Sequence, residues 1–163
     1  MRIGQGFDLH ALADGRALWL GGVEIPSDRG LAGHSDGDAL LHAICDAILG
    51  ALGADDLGAH FPSSDPSLRG IASAELLAQV LERMRGAGYR LGNLDATVVA
   101  QAPRLAPHQA AMRERIAQLL GAEQTAVNVK LKSADRLGAI GREEGIAAHA
   151  VVLLVEDEGD AAA

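Results

Sequence analysis

The chain has 163 residues, which suits one domain of ordinary size. Its formal net charge of −8 argues against a nucleic acid or an anionic membrane as partner, because both are polyanions. The sequence contains no apolar run long enough for a membrane helix and no signal or transit peptide. The single cysteine, Cys45, excludes an internal disulfide, and together these features predict a cytoplasmic location.

Two strands are predicted at the start of the chain. Met1–Phe7 is Gly-rich and extended in character, and Ala17–Ile25 forms a second strand with a bulge or kink at Gly21-Gly22. Pro26–Gly33 is predicted as a loop. With aromatic residues at only 2% of the chain, the core has to be built from Ala, Leu, Val and Ile.

A helix follows this loop. Ser35 is predicted as its N-cap, with Asp38 three residues later completing an acidic variant of the capping box. The helix runs to about Leu52, and Gly53 ends it. Its buried face is marked by residues at helical spacing, namely Leu41, Ile44, Ile48 and Leu52.

The rest of the chain alternates loops, helices and strands. Ala54–Gly70 holds two prolines and no periodicity, which predicts a long loop of the kind that is often functional. The elements after it are a helix at Ser73–Arg85, a strand at Asn93–Gln101, a turn at Pro103–Ala106, a helix at Pro107–Leu120, a strand at Ala126–Leu131, a loop at Ser133–Gly145 and a strand at Ile146–Val155.

This order predicts a single α+β domain over residues 1–155, with a mixed sheet and helices on one face. The acidic residues 156–163 are predicted to form a flexible tail. Because helices cover only one face, the apolar strands of the other face need another subunit, so we expect an oligomer.

Three side chains form a candidate metal site. Asp8 and His10 are two residues apart at a predicted strand end and therefore point the same way, and His42 lies on the first helix. One carboxylate and two imidazoles suit zinc with an open fourth position, the catalytic arrangement. An Asp-x-His pair is common, however, and a lone helical histidine is more often a packed side chain. The surrounding sequence has to decide between these interpretations.

That sequence carries a set of motifs in a distinctive order. They are Gly6–His10, Gly33–Asp38 followed by Leu41-His42, Gly58–Pro66, Gln101–Pro103, Val127–Lys130 and Gly141-Arg142. On these residues the chain closely resembles the 2-C-methyl-D-erythritol 2,4-cyclodiphosphate synthase family. The resemblance extends over about residues 1–155.

The resemblance implies a lyase of non-mevalonate isoprenoid (terpenoid) biosynthesis. Its substrate is 4-diphosphocytidyl-2-C-methyl-D-erythritol 2-phosphate, and its products are the cyclic diphosphate and CMP. The resemblance also implies a homotrimer whose sheets pack around the axis, with active sites between neighbouring subunits. The zinc ion (Zn²⁺) is held by Asp8, His10 and His42, and a second divalent ion, Mg²⁺ or Mn²⁺, falls at Asp135. Glutamate is usual at that position, and the shorter aspartate leaves direct coordination open.

By the same resemblance, His34 is assigned to transition-state stabilisation, and Ser133 has the matching catalytic role from the neighbouring subunit. Asp56–Gly58 hold the erythritol hydroxyls, and the turn Ala100–Ala106 reads the cytosine edge through its backbone. The implied substrate-binding residues are Asp8, His10, His34, Ser35, Asp56, Leu57, Gly58, Phe61, Pro62, Ser63, Ser64, Asp65, Ala100, Gln101, Ala102, Pro103, Arg104, Leu105, Ala106, Lys132, Ser133, Ala134, Asp135, Ala139 and Arg142.

One further implied feature is a hydrophobic channel on the trimer axis that can hold an isoprenoid diphosphate. Arg142 is its phosphate anchor, and Ala139 stands where an aromatic residue is common, so the channel should be wider here. Two other functions remain open from the residues alone. One is a zinc-dependent phosphoesterase that uses metal-bound water, and the other is a non-catalytic trimeric metal-binding scaffold.

Overall fold

The computed structural model of the protein describes residues 1–157, and a five-stranded sheet forms its frame. The elements are β1 (Arg2–Asp14), β2 (Leu18–Leu20), β3 (Val23–Ile25), β4 (Arg29–Leu31), α1 (Ala39–Leu52), α2 (Leu57–His60), α3 (Ser73–Gly86), β5 (Tyr89–Val99), α4 (Gln109–Leu120), β6 (Val127–Lys132), α5 (Gly138–Gly141) and β7 (Gly145–Glu156).

The sheet is mixed, as the sequence predicts. Its strand order is β4-β1-β7-β5-β6, and only the β5–β6 pair is parallel. The long strands β1 and β7 pair along most of their length, from Arg2 opposite Leu154 to Ala11 opposite Gly145. This pairing places β1, which carries two of the candidate metal ligands, near the middle of the sheet.

Helices α1, α3 and α4 cover one face of the sheet, and the core between them consists mainly of Leu, Ile, Val and Ala. Helix α1 packs directly against the backbone of β1. A Cβ atom at Gly6 would come within 2.0 Å of the Ala43 carbonyl oxygen, so only glycine permits this approach. The predicted α+β arrangement, with helices on one face, is confirmed.

The opposite face of the sheet is uncovered in the single chain. Because side chains alternate along a strand, the odd-numbered residues of β1 point away from the helices. Ile3, Phe7, Leu9 and Val151 all lie on this face and are between 44% and 72% exposed. The Phe7 ring packs against the His149 ring of β7 at a centroid distance of 4.6 Å, with the two ring planes tilted by 48°.

The prediction of one strand over Ala17–Ile25 is wrong. The segment is a hairpin of two short strands, β2 and β3, joined by Gly21 and Gly22. Both glycines have positive φ, 61° and 73°, as a two-residue hairpin turn with the twist of the strands requires. The predicted loop Pro26–Gly33 contains the short edge strand β4.

The predicted N-cap of the first helix is also wrong. Asp38, and not Ser35, caps α1, which begins at Ala39. The Asp38 carboxylate accepts from the backbone N–H groups of Leu40 and Leu41, so it satisfies donors that a helix start leaves unpaired. Gly53 ends the helix in the left-handed conformation with φ 72°, as predicted.

Several boundaries differ from the predictions. The long loop over 54–70 contains α2 and a 3-10 turn at Pro66–Leu68, and the predicted loop over 133–145 contains α5. Strand β1 continues to Asp14, β5 begins at Tyr89, and α4 begins at Gln109 after a 3-10 turn. Glu156 belongs to β7 and not to the tail, whose residues 158–163 lie outside the described part. No helix within residues 1–157 is long and apolar enough to cross a membrane.

Candidate metal centre and active site

The three predicted metal ligands meet at one point between β1 and α1. Asp8 Oδ2 lies 2.8 Å from His10 Nε2 and 2.9 Å from His42 Nδ1. The two histidine nitrogens are 3.1 Å apart. Asp8 and His10 share a face of β1 because they are two residues apart, and the close packing of α1 on that face brings in His42.

The donor set fits a divalent metal ion. His10 Nδ1 bonds to the carbonyl oxygen of Ala32, which can only accept, so Nδ1 carries the proton. When the His10 ring is neutral, its lone pair is therefore on Nε2, where it can bind a cation held between Asp8 and His42. One ligand atom from each of the three residues lies within 4.8 Å of the others. Two imidazoles and one carboxylate match a catalytic zinc set with an open position.

The ionisation of Asp8 depends on its two histidine neighbours. Burial alone would raise the pKa of the Asp8 carboxyl, but hydrogen bonds from His10 and His42 hold that pKa far below its ordinary value. The hydrogen bond to Asp8 is the main cause of the raised pKa of His10, against the opposing effect of burial. The Asp8 carboxyl group is therefore ionised, and this negative charge can be shared by a cation or by the histidine rings.

The other nitrogen of His42 faces two hydroxyl groups. Nε2 lies 2.9 Å from Ser73 Oγ, at the first residue of α3, and 3.1 Å from Ser35 Oγ. Both serines are buried. Ser73 Oγ also bonds to a carboxylate oxygen of Asp36, whose other oxygen accepts from the Ser73 backbone N–H at 3.0 Å. These contacts tie the segment before α1 to the start of α3.

Asp38 fixes the start of α1, four residues before His42. It is fully buried, and in addition to its two contacts within α1 it accepts from the backbone N–H groups of Gly21 at 2.9 Å and Gly22 at 2.7 Å. Burial raises the pKa of Asp38, and the backbone donors oppose that rise. The carboxyl group therefore joins the β2–β3 hairpin to the helix that carries a metal ligand.

A cavity of about 560 Å³ opens beside the three ligands. Most of the predicted erythritol and phosphate contacts line it: Asp8, His10, His34, Ser35, Asp56, Leu57, Gly58, Phe61, Pro62, Ser63 and Ser64. Asp56 caps α2 by accepting from Ala59 N through Oδ1 at 2.8 Å. Asp65 is not among the lining residues and caps the 3-10 turn instead, accepting from Ser67.

The remaining predicted residues lie away from this cavity in the single chain. None of residues 100–106, 132–135, 139 or 142 lines it, within the part of the chain described. Gln101 and Arg142 border a different surface cavity of about 350 Å³. Ser133 Oγ donates to Asp135 Oδ1 at 2.9 Å, and Arg142 pairs with Glu144 of the same chain at 2.7 Å.

Asp46 and Ser73 are polar residues of the site that the sequence did not identify as such. Asp46 lines the cavity one helical turn after His42, and its spacing from that residue was the available signal. It accepts from Leu57 N at 2.7 Å, and burial raises its pKa. Ser73 carried no signal, because its contact with His42 depends on how α3 packs.

Residues 1–155 match the model of the YgbB family. The chain is 56% identical over 156 residues to the 2-C-methyl-D-erythritol 2,4-cyclodiphosphate synthase of Halalkalibacterium halodurans, which covers 96% of this chain and 99% of that one. It resembles the bifunctional IspDF of Campylobacter jejuni with a TM-score of 0.91 and 41% identity, over 95% of this chain and 42% of that chain. It also resembles IspF of Plasmodium falciparum in complex with CDP, with a TM-score of 0.84 and 34% identity, over 96% and 97% of the two chains.

Proposed function

This chain belongs to the YgbB family, and on that premise we propose that Asp8, His10 and His42 hold a zinc ion that serves the family's cyclisation. The reaction converts 4-diphosphocytidyl-2-C-methyl-D-erythritol 2-phosphate into 2-C-methyl-D-erythritol 2,4-cyclodiphosphate and releases CMP. It is a lyase step of the non-mevalonate pathway. The observation that carries the proposal is the convergence of three ligand atoms at the edge of a cavity.

The chemistry needs positioning more than proton transfer. The 2-phosphate is already anionic, so an oxygen of that group attacks the β-phosphorus without a general base. The bond between the β-phosphorus and the oxygen leading to the α-phosphate breaks, and CMP leaves. Repulsion between phosphates and the geometry of ring closure are the obstacles. A bound divalent ion supplies charge neutralisation and polarises a phosphate oxygen.

The chain's own residues then bind and orient the substrate. His34 and Ser35 stand at the cavity next to the metal ligands, where they can donate to phosphate oxygens. Asp56 uses Oδ1 for its backbone cap, and Oδ2 makes no hydrogen bond within residues 1–157, which suits an acceptor for the erythritol hydroxyls. Phe61–Ser64 line the same cavity.

The complete site is proposed to need a neighbouring subunit of a homotrimer. The uncovered apolar face with Ile3, Phe7 and Leu9 supports burial against other copies. Ser133 and Asp135, which lie away from the cavity of their own chain, would reach the cavity of a neighbour. There Ser133 would stabilise the transition state and Asp135 would help to hold Mg²⁺ or Mn²⁺. Light scattering should give three times the mass of one chain, and a monomer would refute this assembly.

Cytosine recognition is assigned to the turn 100–106. The CDP complex of the Plasmodium falciparum relative supports a cytidine diphosphate ligand. Ala100 and Leu105 are buried, so their side chains belong to the core and recognition falls to backbone groups of the turn. Arg104 is exposed and adds positive charge for the diphosphate. The cytoplasmic location stays a prediction.

The axial channel is a separate part of the proposal. Arg142 forms an ion pair with Glu144 of its own chain through Nε and Nη2, so an isoprenoid diphosphate would compete with that carboxylate for the guanidinium. With the small Ala139 beside it, we expect weak retention of such a ligand. Titration of farnesyl diphosphate should show lower affinity for Arg142→Ala than for the wild type, and equal affinity would refute the channel.

The decisive experiment is turnover with the pathway substrate and Mg²⁺, followed by CMP release and phosphorus NMR. A cyclic diphosphate with stoichiometric CMP is expected. An open-chain product with inorganic phosphate would favour the phosphoesterase, and absence of CMP would favour the metal-binding scaffold. His42→Ala should remove zinc and abolish turnover, whereas His108→Ala, outside the cavity, should do neither. Full activity without bound zinc would refute the metal assignment.

A further inference from the structure

The protonation of His42 decides whether its metal-facing nitrogen can bind a cation. A neutral imidazole has one N–H group and one lone pair. Nδ1 faces Asp8 and His10, while Nε2 faces the hydroxyls of Ser73 and Ser35. Coordination through Nδ1 therefore requires the ring proton on Nε2, and this proton needs a group that accepts and does not donate.

Ser73 meets that requirement because its single hydroxyl proton is already used. Ser73 Oγ donates to Asp36 Oδ1, and a carboxylate oxygen accepts and does not donate. The carboxylate is fixed in place, since Oδ2 accepts from Ser73 N at 3.0 Å and Oδ1 accepts from Asp38 N at 3.2 Å. Only lone pairs of Ser73 Oγ remain for His42 Nε2, at 2.9 Å.

Ser35 does not impose this choice. Its Oγ accepts from Gly37 N at 3.0 Å, and its own proton can point to His42 Nε2 at 3.1 Å or to the more distant Ser73 Oγ at 3.5 Å. Ser35 can therefore donate to Nε2 as readily as accept from it. Without Ser73, this hydroxyl could stabilise the opposite tautomer, in which Nδ1 is protonated and cannot bind a metal ion.

We propose that Asp36 and Ser73 are positioning residues that hold His42 with its proton on Nε2, and so keep Nδ1 free for the cation. The inference rests on the proposed metal centre. Groups that orient a ligating histidine in this way typically change metal affinity about 10–100-fold. The two residues also join the start of α3 to the segment before α1, so a test has to separate tautomer control from a structural role.

The first measurement uses zinc alone. The metal-free full chain competes with a chromophoric chelator, which gives the Kd for zinc. Ser73→Ala should raise this Kd about 10–100-fold. Asp36→Ala keeps Ser73 Oγ but frees its proton for donation to Nε2, so it should raise the Kd similarly. Both changes act through the same proton, so the double variant should bind zinc no more weakly than whichever single variant has the higher Kd.

The controls distinguish this effect from general damage. Ser27→Ala removes a hydroxyl that, among residues 1–157, only accepts from Arg29 N, and it should leave the Kd for zinc within twofold of the wild type. Ser73→Thr keeps the hydroxyl and should restore most of the affinity lost in Ser73→Ala. The second readout is the histidine tautomer, from long-range ¹H–¹⁵N spectra of the metal-free protein at a pH where the rings are neutral.

The Asp8 carboxylate can accept a hydrogen bond from Nδ1–H in the metal-free chain, so it competes with Ser73 for the ring proton of His42. The Nε2–H tautomer should therefore be more populated in the wild type than in Asp36→Ala. A structural role alone would lower the melting temperature and leave the tautomer unchanged. Single variants that bind zinc like the wild type, or additive losses in the double variant, would overturn the inference. A wild-type chain that binds no zinc would instead refute the metal centre itself, so the two failures are distinguishable.

Discussion

Asp38 offers the sharpest test of how the fold supports the site. Its buried carboxylate accepts from four backbone N–H groups, two in α1 and two in the β2–β3 hairpin. Three of these bonds end on Oδ1, and the fourth, from Gly22, ends on Oδ2. Asp38→Ala removes all four acceptors, whereas Asp38→Asn keeps one acceptor oxygen and turns an amide N–H toward a donor.

The expected losses follow from these contacts. Removing a helix cap costs about 0.5–2 kcal/mol. The two hairpin donors then stay buried without a partner, at about 1–3 kcal/mol each. Burial raises the pKa of Asp38, which shows that holding its carboxylate out of water has a cost. The alanine variant avoids that cost, and this offsets part of the lost stability. We expect Asp38→Ala to lower the free energy of unfolding by about 4 kcal/mol and Asp38→Asn by about 2 kcal/mol.

Urea unfolding of the metal-free protein measures both changes without a contribution from metal binding. All variants are compared at one fixed protein concentration, because the stability of an oligomer depends on it. Asp28→Ala is the matched control, because Asp28 is exposed, and it should change the free energy of unfolding by less than about 0.5 kcal/mol. A loss below about 1 kcal/mol for Asp38→Ala, or equal losses for the two Asp38 variants, would refute the reasoning.

Three further results are expected. Cys45 is fully buried, and burial raises the pKa of its thiol well above its usual range, so a thiol reagent at pH 8 should react only after unfolding; fast reaction of the native protein would contradict this. The Lys130 ammonium lies 2.5 Å from Asp95 and lowers the pKa of that carboxyl group. Lys130→Met should therefore raise the Asp95 pKa, so that Asp95 protonates at higher pH in an NMR titration. An unchanged titration would argue against the Lys130–Asp95 ion pair. Gly6→Ala should lower the free energy of unfolding by about 3 kcal/mol or more, since its Cβ would overlap a carbonyl of α1, whereas Gly86→Ala, with open space around it, should be tolerated.

The sequence was sufficient for the elements with strong periodicity. The apolar stripe of α1, the helix at 73–85 and the alternating strand at 126–131 all lie where their patterns predict. The sequence predicted the wrong structure where two local signals compete. Ser35 and Asp38 are both good cap residues, and only the packing of the hairpin against α1 selects Asp38. The Gly21-Gly22 pair predicts a bulge or kink, because the strand-forming residues on both sides fit one strand as well as a hairpin.

For the site, the sequence by itself determined the ligand types and, through the order of motifs, the family. Only the tertiary structure decided that Asp8 and His10 on β1 and His42 on α1 meet at a single point, because their distance depends on how closely the helix approaches Gly6. It also decided the surroundings of His42. Ser73 has no ligand motif of its own, and its hydroxyl reaches Nε2 because α3 starts beside the segment that leads into α1. Contacts between elements distant in sequence leave no local pattern, which is why packing alone reveals them.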